Sequence, residues 1–532
     1  MKKIIAIALL LCVMLSLCAC PGSGPGEGPG GEICEHTYVD GACTKCGLVK
    51  PLDHIPDGVH NFGGDSLSIS CRSDYEYELY GKEGSVEGVD PLIYERNRRV
   101  QERFNMKVQT VVTTVAATDQ QKHLDEVSDA LQTGRFKFDV VSMWIYQSGK
   151  LILGGNYLDW RMHTEDGTYV IPYAGESLDK GEEWWPSLMN DPATVFGCQY
   201  IAVSDMCLTS YENAYSITYN YDKVTDLKLA QNAGYEDMYD IVKKGDWTLE
   251  MFKTFGSEYY EDNQVAGQKD VKDETDTYGI LYAPATGVDA FIHAFGYNVI
   301  KNDGENMPEL WNVNGTMIIA IEELRTCLWG SGSFAVSSTS NPIEKMFAEG
   351  HGLFATLTLE ALRTPTLHAM EDDFGVLPYP KYNQGQKQYF TGSNDHYNTL
   401  AIPLMINPNR LTLVGVGIEA LSAETSNSVE SKFYEKLLKA GSTRLLKDEE
   451  MLDRIIAGRV YDLVAGHHGD LIIDMDNAAA RHLHAMWRVL VSDKTLEVRD
   501  YWALGSTRLS GDESVDGSVA NLINRYITMF DE

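Results

Sequence analysis

The chain has 532 residues, 44% of them hydrophobic and 23% charged, which is room for about two to four globular domains with ordinary cores. Its 77 acidic and 44 basic residues leave a formal net charge of −33. That balance excludes nucleic acid as a partner and disfavours anionic membrane surfaces and polyanionic substrates; solubility beside a negatively charged cell surface is its plain reading.

The first twenty residues, MKKIIAIALLLCVMLSLCAC, place Lys2 and Lys3 ahead of an apolar run. At about fifteen residues the run suits a secretory signal peptide and is short for a membrane span. It ends Leu17-Cys18-Ala19-Cys20. A small residue before a cysteine, with Leu two places further back, resembles the bacterial lipobox, which implies cleavage before Cys20 and a lipid on that residue. The competing reading is an ordinary secretory signal with chance cysteines, but the usual small-x-small cleavage site is missing. The expectation is a protein tethered by Cys20 to the outer face of a cell membrane. Pro21–Glu32 (PGSGPGEGPGGE) is too rich in Gly and Pro to bury a core and reads as a flexible spacer.

Next come Cys34-x-His36 and Cys43-x-x-Cys46-Gly47. Two tight pairs of N and S ligands match a tetrahedral structural zinc, with Asp40-Gly41 as a hairpin turn between them. A local disulfide with a spare thiol is the alternative outside the cell. Haem attachment needs a His after Cys46, where Gly47 stands. With four protein ligands such a zinc has no open position, so the segment reads as an accessory, and no cofactor is expected for function.

From about Asp65 strands and helices alternate. Ser66–Ser70 reads as a strand. Pro91–Phe104 reads as a helix with apolar positions Leu92, Ile93, Val100 and Phe104, running into a strand over Met106–Val112. Gln120–Gly134 reads as a second helix (His123, Leu124, Val127, Leu131), and Phe138–Trp144 as a buried strand. This alternation implies a parallel sheet covered by helices, with ligands at the carboxyl ends of the strands, where Arg72, Ser73 and Trp144 fall.

The segments ERNRRVQERFNMKV, FDVVSMW, WWPSLMNDPATVFGCQYIAVSD followed by SYENAYSITYNYDKV, GDWTLEMFKTF with Thr248 as a helix N-cap, MFAEGHGLFATLTLEALR, and DFGVLPYPKYNQGQKQYFTGS follow one another in order. In that order they resemble the extracellular solute-binding proteins of the maltose-binding, carbohydrate type that serve ABC importers. The resemblance covers roughly Asp65 to the C-terminus. It is weak in the insert around EDNQVAGQKDVKDETD and in the C-terminal tail. It implies an α/β fold of type II periplasmic-binding-protein character: two lobes, each a sheet flanked by helices, joined by two or three crossover strands and closing on a ligand between them. The expected division is a signal peptide at 1–19, a linker at 20–33, the Cys/His segment at 34–50 and a second linker at 51–64. Lobe 1 then takes 65–208 and returns at 388–440; lobe 2 takes 209–387 and returns at 441–532 with the C-terminal helices.

Sugar rings stack on aromatic faces while carboxylates and amides take their hydroxyls, and nine tryptophans and 29 tyrosines supply the material. The expected ligand-binding residues are Arg72, Ser73 and Trp144 at the strand ends, against a core role for Trp144. Trp184 and Trp185 are added because adjacent indoles cannot easily share one core. Tyr211, Glu212 and Asn213 lie at the first crossover, where a purely structural hinge role competes. Thr358, Glu360 and Arg363 follow a strand of the second lobe, with an ion pair on a helix as the alternative for Arg363. Ser393, Asn394 and Asp395 lie in a loop whose alternative is a solvated turn.

Several enzyme-like strings are set aside. GGDSLS (63–68) imitates an esterase block but precedes its strand, and GVGIEA (415–420) reads as helix. Glu182-Glu183 reads as solvated loop, Asp262–Asp276 lacks the calcium-loop pattern, and a Cys198–Cys207 disulfide is left open. The expected protein is not an enzyme. It is a lipid-anchored monomer that captures a carbohydrate, an oligosaccharide by preference, for the membrane subunits of an ABC permease. A peptide or other solute on the same fold, a surface glycoside hydrolase, and a sensor subunit are the alternatives.

Overall fold

Ser66–Arg72 is buried along almost its whole length, as a strand covered on both faces must be. In the computed structural model it is the third of fourteen strands among the described residues. These are 38–39, 42–44 and 50–531 apart from short stretches, the longest being 264–271, 438–444, 472–484 and 504–517. The strands are β1 (Tyr38–Val39), β2 (Ala42–Cys43), β3 (Ser66–Arg72), β4 (Lys107–Thr113), β5 (Val140–Trp144), β6 (Tyr215–Asn220), β7 (Tyr260–Glu261), β8 (Thr277–Tyr282), β9 (Ile300–Lys301), β10 (Glu309–Leu310), β11 (Ser333–Ala335), β12 (Gly352–Thr358), β13 (Phe374–Leu377) and β14 (Asn398–Ala401).

One sheet has the order β14-β5-β3-β4. Strand β3 runs parallel to β4, from Ser66 opposite Lys107 to Arg72 opposite Thr113, and parallel to β5 at Ser70 opposite Val141. Strand β14 returns antiparallel on β5, with Asn398 opposite Trp144. The parallel strand-helix alternation expected from the sequence is therefore present. The other large sheet has the order β11-β8-β12-β6-β13, with β7 added on β8; β11, β8 and β12 are parallel, and β6 is antiparallel to β12 and β13. Strands β1 and β2 pair antiparallel, with Val39 opposite Ala42; Asp40 and Gly41, where a hairpin turn is expected, lie outside the described residues. Cys20, Cys34, His36 and Cys46 lie outside the described residues, as does the side chain of Cys43.

The two faces of β3 explain its alternating composition. Ser70 shares a hydrogen bond with His123 of the Lys122–Gln132 helix, while Leu67 lies under the Leu411–Ser428 helix. The Gly-x-Gly of that helix is a packing feature. A Cβ at Gly415 would sit 2.1 Å from the Pro172 carbonyl oxygen, and one at Gly417 would sit 2.8 Å from Leu67 Cδ2. The Asp90–Phe104 helix buries Ile93, Val100 and Phe104 as its periodicity predicts. It also buries Arg96, whose guanidinium donates to the carbonyls of Glu78 and Leu79 and to Thr425 Oγ1.

Three of the places where the chain passes between the two sheets are neighbours. Ala214 bridges Ser393, and Thr391 bridges Arg459. The passage at Arg459 bears on the expected return of 441–532 to the second lobe: residues after 441 pack beside both sheets. The Leu445–Ala457 helix packs on β13, and Met486–Ser492 packs on the helices Thr286–Ala294 and Gly315–Leu328, all around the second sheet. Between them Leu463–Gly466 packs on Ile145–Ile152 beside the first sheet, because the chain has crossed at Arg459. Among the described residues no helix is long and apolar enough to cross a membrane. Cys71, Cys198, Cys207 and Cys327 are all free thiols, so the disulfide left open between Cys198 and Cys207 is not formed.

Candidate functional site

Strands β3 and β5 are parallel neighbours, so their carboxyl ends emerge side by side and carry Arg72 and Trp144. The Arg72 guanidinium carbon lies 3.6 Å from the Trp144 ring centroid. This is a cation–π contact in which both residues are only 3% exposed. Asp74 accepts from Arg72 Nε at 3.0 Å and Nη2 at 2.7 Å and so fixes the plane of the fork. Around Trp144 stand Tyr75 at 5.7 Å, Tyr146 at 5.5 Å and His396 at 4.6 Å between ring centroids. Trp144 is the floor of this shelf, and Tyr75, Tyr146 and His396 are its half-buried upper layer. Burial, with Asp395 nearby, pushes the Tyr146 hydroxyl up to about 12. Ser73 is exposed and accepts the Val115 amide at 3.2 Å, holding the loop after β4.

The second lobe meets this shelf through Glu212. That carboxylate is 1% exposed; it accepts from the Tyr77 hydroxyl and pairs with Arg363 Nη1 at 2.8 Å. Arg363 follows β12, and its contact with Glu360 is longer, 3.9 Å. The helix ion pair weighed for Arg363 is thus secondary to a pair that ties a second-lobe side chain to the first crossover and to Tyr77. Thr358 ends β12 opposite Tyr215, at the same crossover. Asp289, in the first turn of the Thr286–Ala294 helix, pairs with Arg488, and Asp395 is close enough for its charge to act on it.

Other candidates are framework. Tyr211 is fully buried, 6.1 Å from Phe433 and 4.2 Å from the Arg459 guanidinium. Asn213 donates its side-chain amide to the Thr209 carbonyl, and its own carbonyl accepts the Asn394 amide at 2.9 Å, so both asparagines build the crossover. Ser393 stands on the same bridge, and its buried hydroxyl has no hydrogen-bond partner. Asp395 lies 3.8 Å from His396. Trp184 and Trp185 are away from the shelf: both indole N–H groups donate to the buried Glu419 carboxylate, at 3.1 and 2.9 Å. The sequence reading missed Tyr75, Tyr77, Tyr146, His396 and Asp289. The signal was present in SDYEYELY directly after β3, and in Tyr146 and His396 flanking residues already singled out. Among the described residues no cluster of His, Cys, Asp and Glu is arranged for a metal ion.

Burial raises Glu78, Glu212, Asp205 and Glu419 to about 7, and Asp289 to about 6. Below the unfolded carboxyl value both states are protonated and the full stability is present. Between there and pH 7 the unfolded chain releases protons that the folded chain keeps, so stability falls as pH rises. Burial lowers His123 to about 4, which acts in the opposite sense below pH 6.5, as a single group. The unfolding midpoint is therefore expected to be several degrees higher at pH 5 than at pH 8 by calorimetry, and the reverse order would contradict these assignments.

No protein-family model matches the chain, and no curated protein matches it. Solved structures do. The sugar-binding protein MalE from Xanthomonas citri superposes with a TM-score of 0.52 at 11% identity, over 88% of this chain and 99% of that one. The chain has the type II periplasmic-binding-protein fold. The ABC substrate-binding protein Lmo0181 from Listeria monocytogenes, in complex with cycloalternan, gives a TM-score of 0.46 at 12% identity over 84% of this chain and 98% of that one. In this fold the aromatic shelf lies at the ends of β3 and β5, and Glu212 and Arg363 stand beside the first crossover, next to the end of β12.

Proposed function

We propose that the protein is an extracellular solute receptor that closes its two lobes on a neutral carbohydrate, an oligosaccharide by preference, and hands it unaltered to the membrane subunits of an ABC importer. The observation that carries this reading is the layered shelf of Trp144 under Tyr75, Tyr146 and His396, bordered by the charged groups Arg72, Asp395, Glu212 and Arg363. Clustered aromatic rings suit the apolar faces of a pyranose, and a fixed border of carboxylates and guanidinium groups suits its hydroxyls. Hinge closure would bring Glu360 and Asp289 of the second lobe onto the same guest. Lipid on Cys20 and the Gly/Pro spacer would tether the receptor to the outer face of the membrane, as a monomer. A structural zinc at Cys34, His36, Cys43 and Cys46 would be a small stalk element with no part in binding.

The test is a thermal-shift and calorimetric screen of the mature protein against linear and cyclic saccharides, with chromatography of the recovered sugar. A specific guest at 100-fold excess over Kd should stabilise the protein by about 2.7 kcal/mol and be recovered intact. Hydrolysed product, or stabilisation by peptides alone, would replace this reading.

A further inference from the structure

A cavity lies apart from the aromatic shelf. It has a volume of about 560 Å³ and shares no lining residue with the shelf. That is the size of a pocket for a small metabolite. Its walls are the turn Lys243–Asp246, the strap from Lys381 to Tyr389, the end of the Leu445–Ala457 helix, and Leu188 of the first lobe.

Its charge runs against that of the whole molecule. In a chain of net charge −33, this lining holds Lys243, Lys244, Lys381, Lys387 and Arg454 against one carboxylate, Asp246. Three of these cations are held from outside the cavity: Lys243 and Arg454 pair with Glu450, and Lys244 with Asp240. Lys381 and Lys387 have no carboxylate at ion-pair distance among the described residues. Lys381 is the unusual one, because it is 3% exposed and lines a cavity. Its ammonium donates to the Gln386 carbonyl at 2.8 Å and lies 5.2 Å from the Tyr389 ring centroid. A buried ammonium has three donors and is costly to leave under-satisfied.

The cavity is also preformed. The Gln386 side chain accepts the Tyr382 amide at 3.1 Å and donates to the carbonyls of Ala294 and Gln388, which locks the strap. Gly245 has φ +77°, and a Cβ there would stand 3.3 Å from Lys381 Nζ, so the bare backbone leaves room around the ammonium.

We infer that this cavity is a binding site for a small oxyanion, a phosphorylated or carboxylated metabolite, with Lys381 as its buried anchor and Lys387 as its outer contact. It is independent of the carbohydrate gap. Tyr389 and Gly458, on its wall, stand two and one residues before the bridged pair Thr391 and Arg459, so the bound anion would sit against the crossovers.

The test is isothermal titration of the whole mature protein with inorganic phosphate, glucose 6-phosphate and citrate in turn, in a buffer without competing oxyanions. At least one should bind saturably, with affinity falling as salt rises, and the comparison of phosphate with citrate identifies the headgroup. Lys381→Met should weaken that binding by about tenfold or more, as loss of a charge-assisted contact does. Lys387→Gln should weaken it less, and Tyr146→Ala on the shelf should leave it unchanged. If Lys381→Met does not fold, Lys387→Gln decides. Absence of saturable binding by all three probes, binding indifferent to the substitutions in the cavity, or binding lost with Tyr146→Ala would overturn the inference. Loss with Tyr146→Ala would place the probe on the shelf; the other outcomes leave carbohydrate binding there untouched.

Discussion

Replacing Glu419 with leucine is expected to lower the unfolding free energy by about 3–9 kcal/mol, because three buried donors lose their acceptor at once and each such loss costs about 1–3 kcal/mol. The carboxylate accepts from Ser177 Oγ at 2.7 Å, Trp184 Nε1 at 3.1 Å and Trp185 Nε1 at 2.9 Å, and all four side chains are buried. Leucine fills the volume but leaves a hydroxyl and two indole N–H groups facing hydrocarbon. Glu419→Gln keeps one acceptor oxygen and puts an amide N–H against a donor, so an intermediate loss is expected. Denaturant unfolding of the three proteins measures the ladder. A leucine variant within about 1 kcal/mol of the wild type would mean that the triad contributes little.

Replacing Trp144 with alanine is expected to abolish carbohydrate binding and to cost about 3–5 kcal/mol of stability, the usual range for truncating a core tryptophan. The ring supports Arg72 on one side and Tyr75, Tyr146 and His396 on the others, so its loss removes the floor under the whole upper layer. Two effects must be separated. Trp144→Phe keeps an aromatic floor and should recover most of the stability while weakening binding only in part. Tyr146→Ala acts on a half-buried ring and should cost about 1–2 kcal/mol of affinity with little change in folding. Titration of each variant with the saccharide found in the screen, beside its unfolding curve, distinguishes a shelf that binds from one that only packs. Full affinity in a folded Trp144→Ala protein would move the ligand site elsewhere.

What the bare sequence revealed and what it hid follow one physical division. Local periodicity carried the first strand-helix alternation, because β3, β4, β5 and the two helices between them each show their own pattern within a dozen residues or so. The strand-end rule then located Arg72 and Trp144, which the structure places in contact. Partners distant in the chain were invisible. Trp184 and Trp185 looked divergent because neighbouring side chains usually are, yet both reach a carboxylate more than 230 residues away. Arg363 was expected at the ligand, with an ion pair on a helix as the alternative, and its shorter pair is with Glu212, 151 positions earlier in the chain. Tyr75, Tyr77 and His396 belong to turns without periodicity, so only their position after a strand or beside Asp395 marked them. Gly415 and Gly417 suggested a nucleotide fingerprint in outline, and their reason is close packing on Pro172 and Leu67.

The repeated passage between the sheets has a consequence for synthesis. A nascent chain that has grown to residue 390 holds every strand of the larger sheet, yet it lacks β14, the edge that closes the smaller one against β5, and the Leu411–Ser428 helix that covers β3. It also lacks the Leu445–Ala457 helix that shields β13. Neither half is self-sufficient before most of the message has been read, so maturation is a late, joint event, and a product cut short near the second crossover would leave hydrocarbon bare on both halves and be a target for chaperones and proteases.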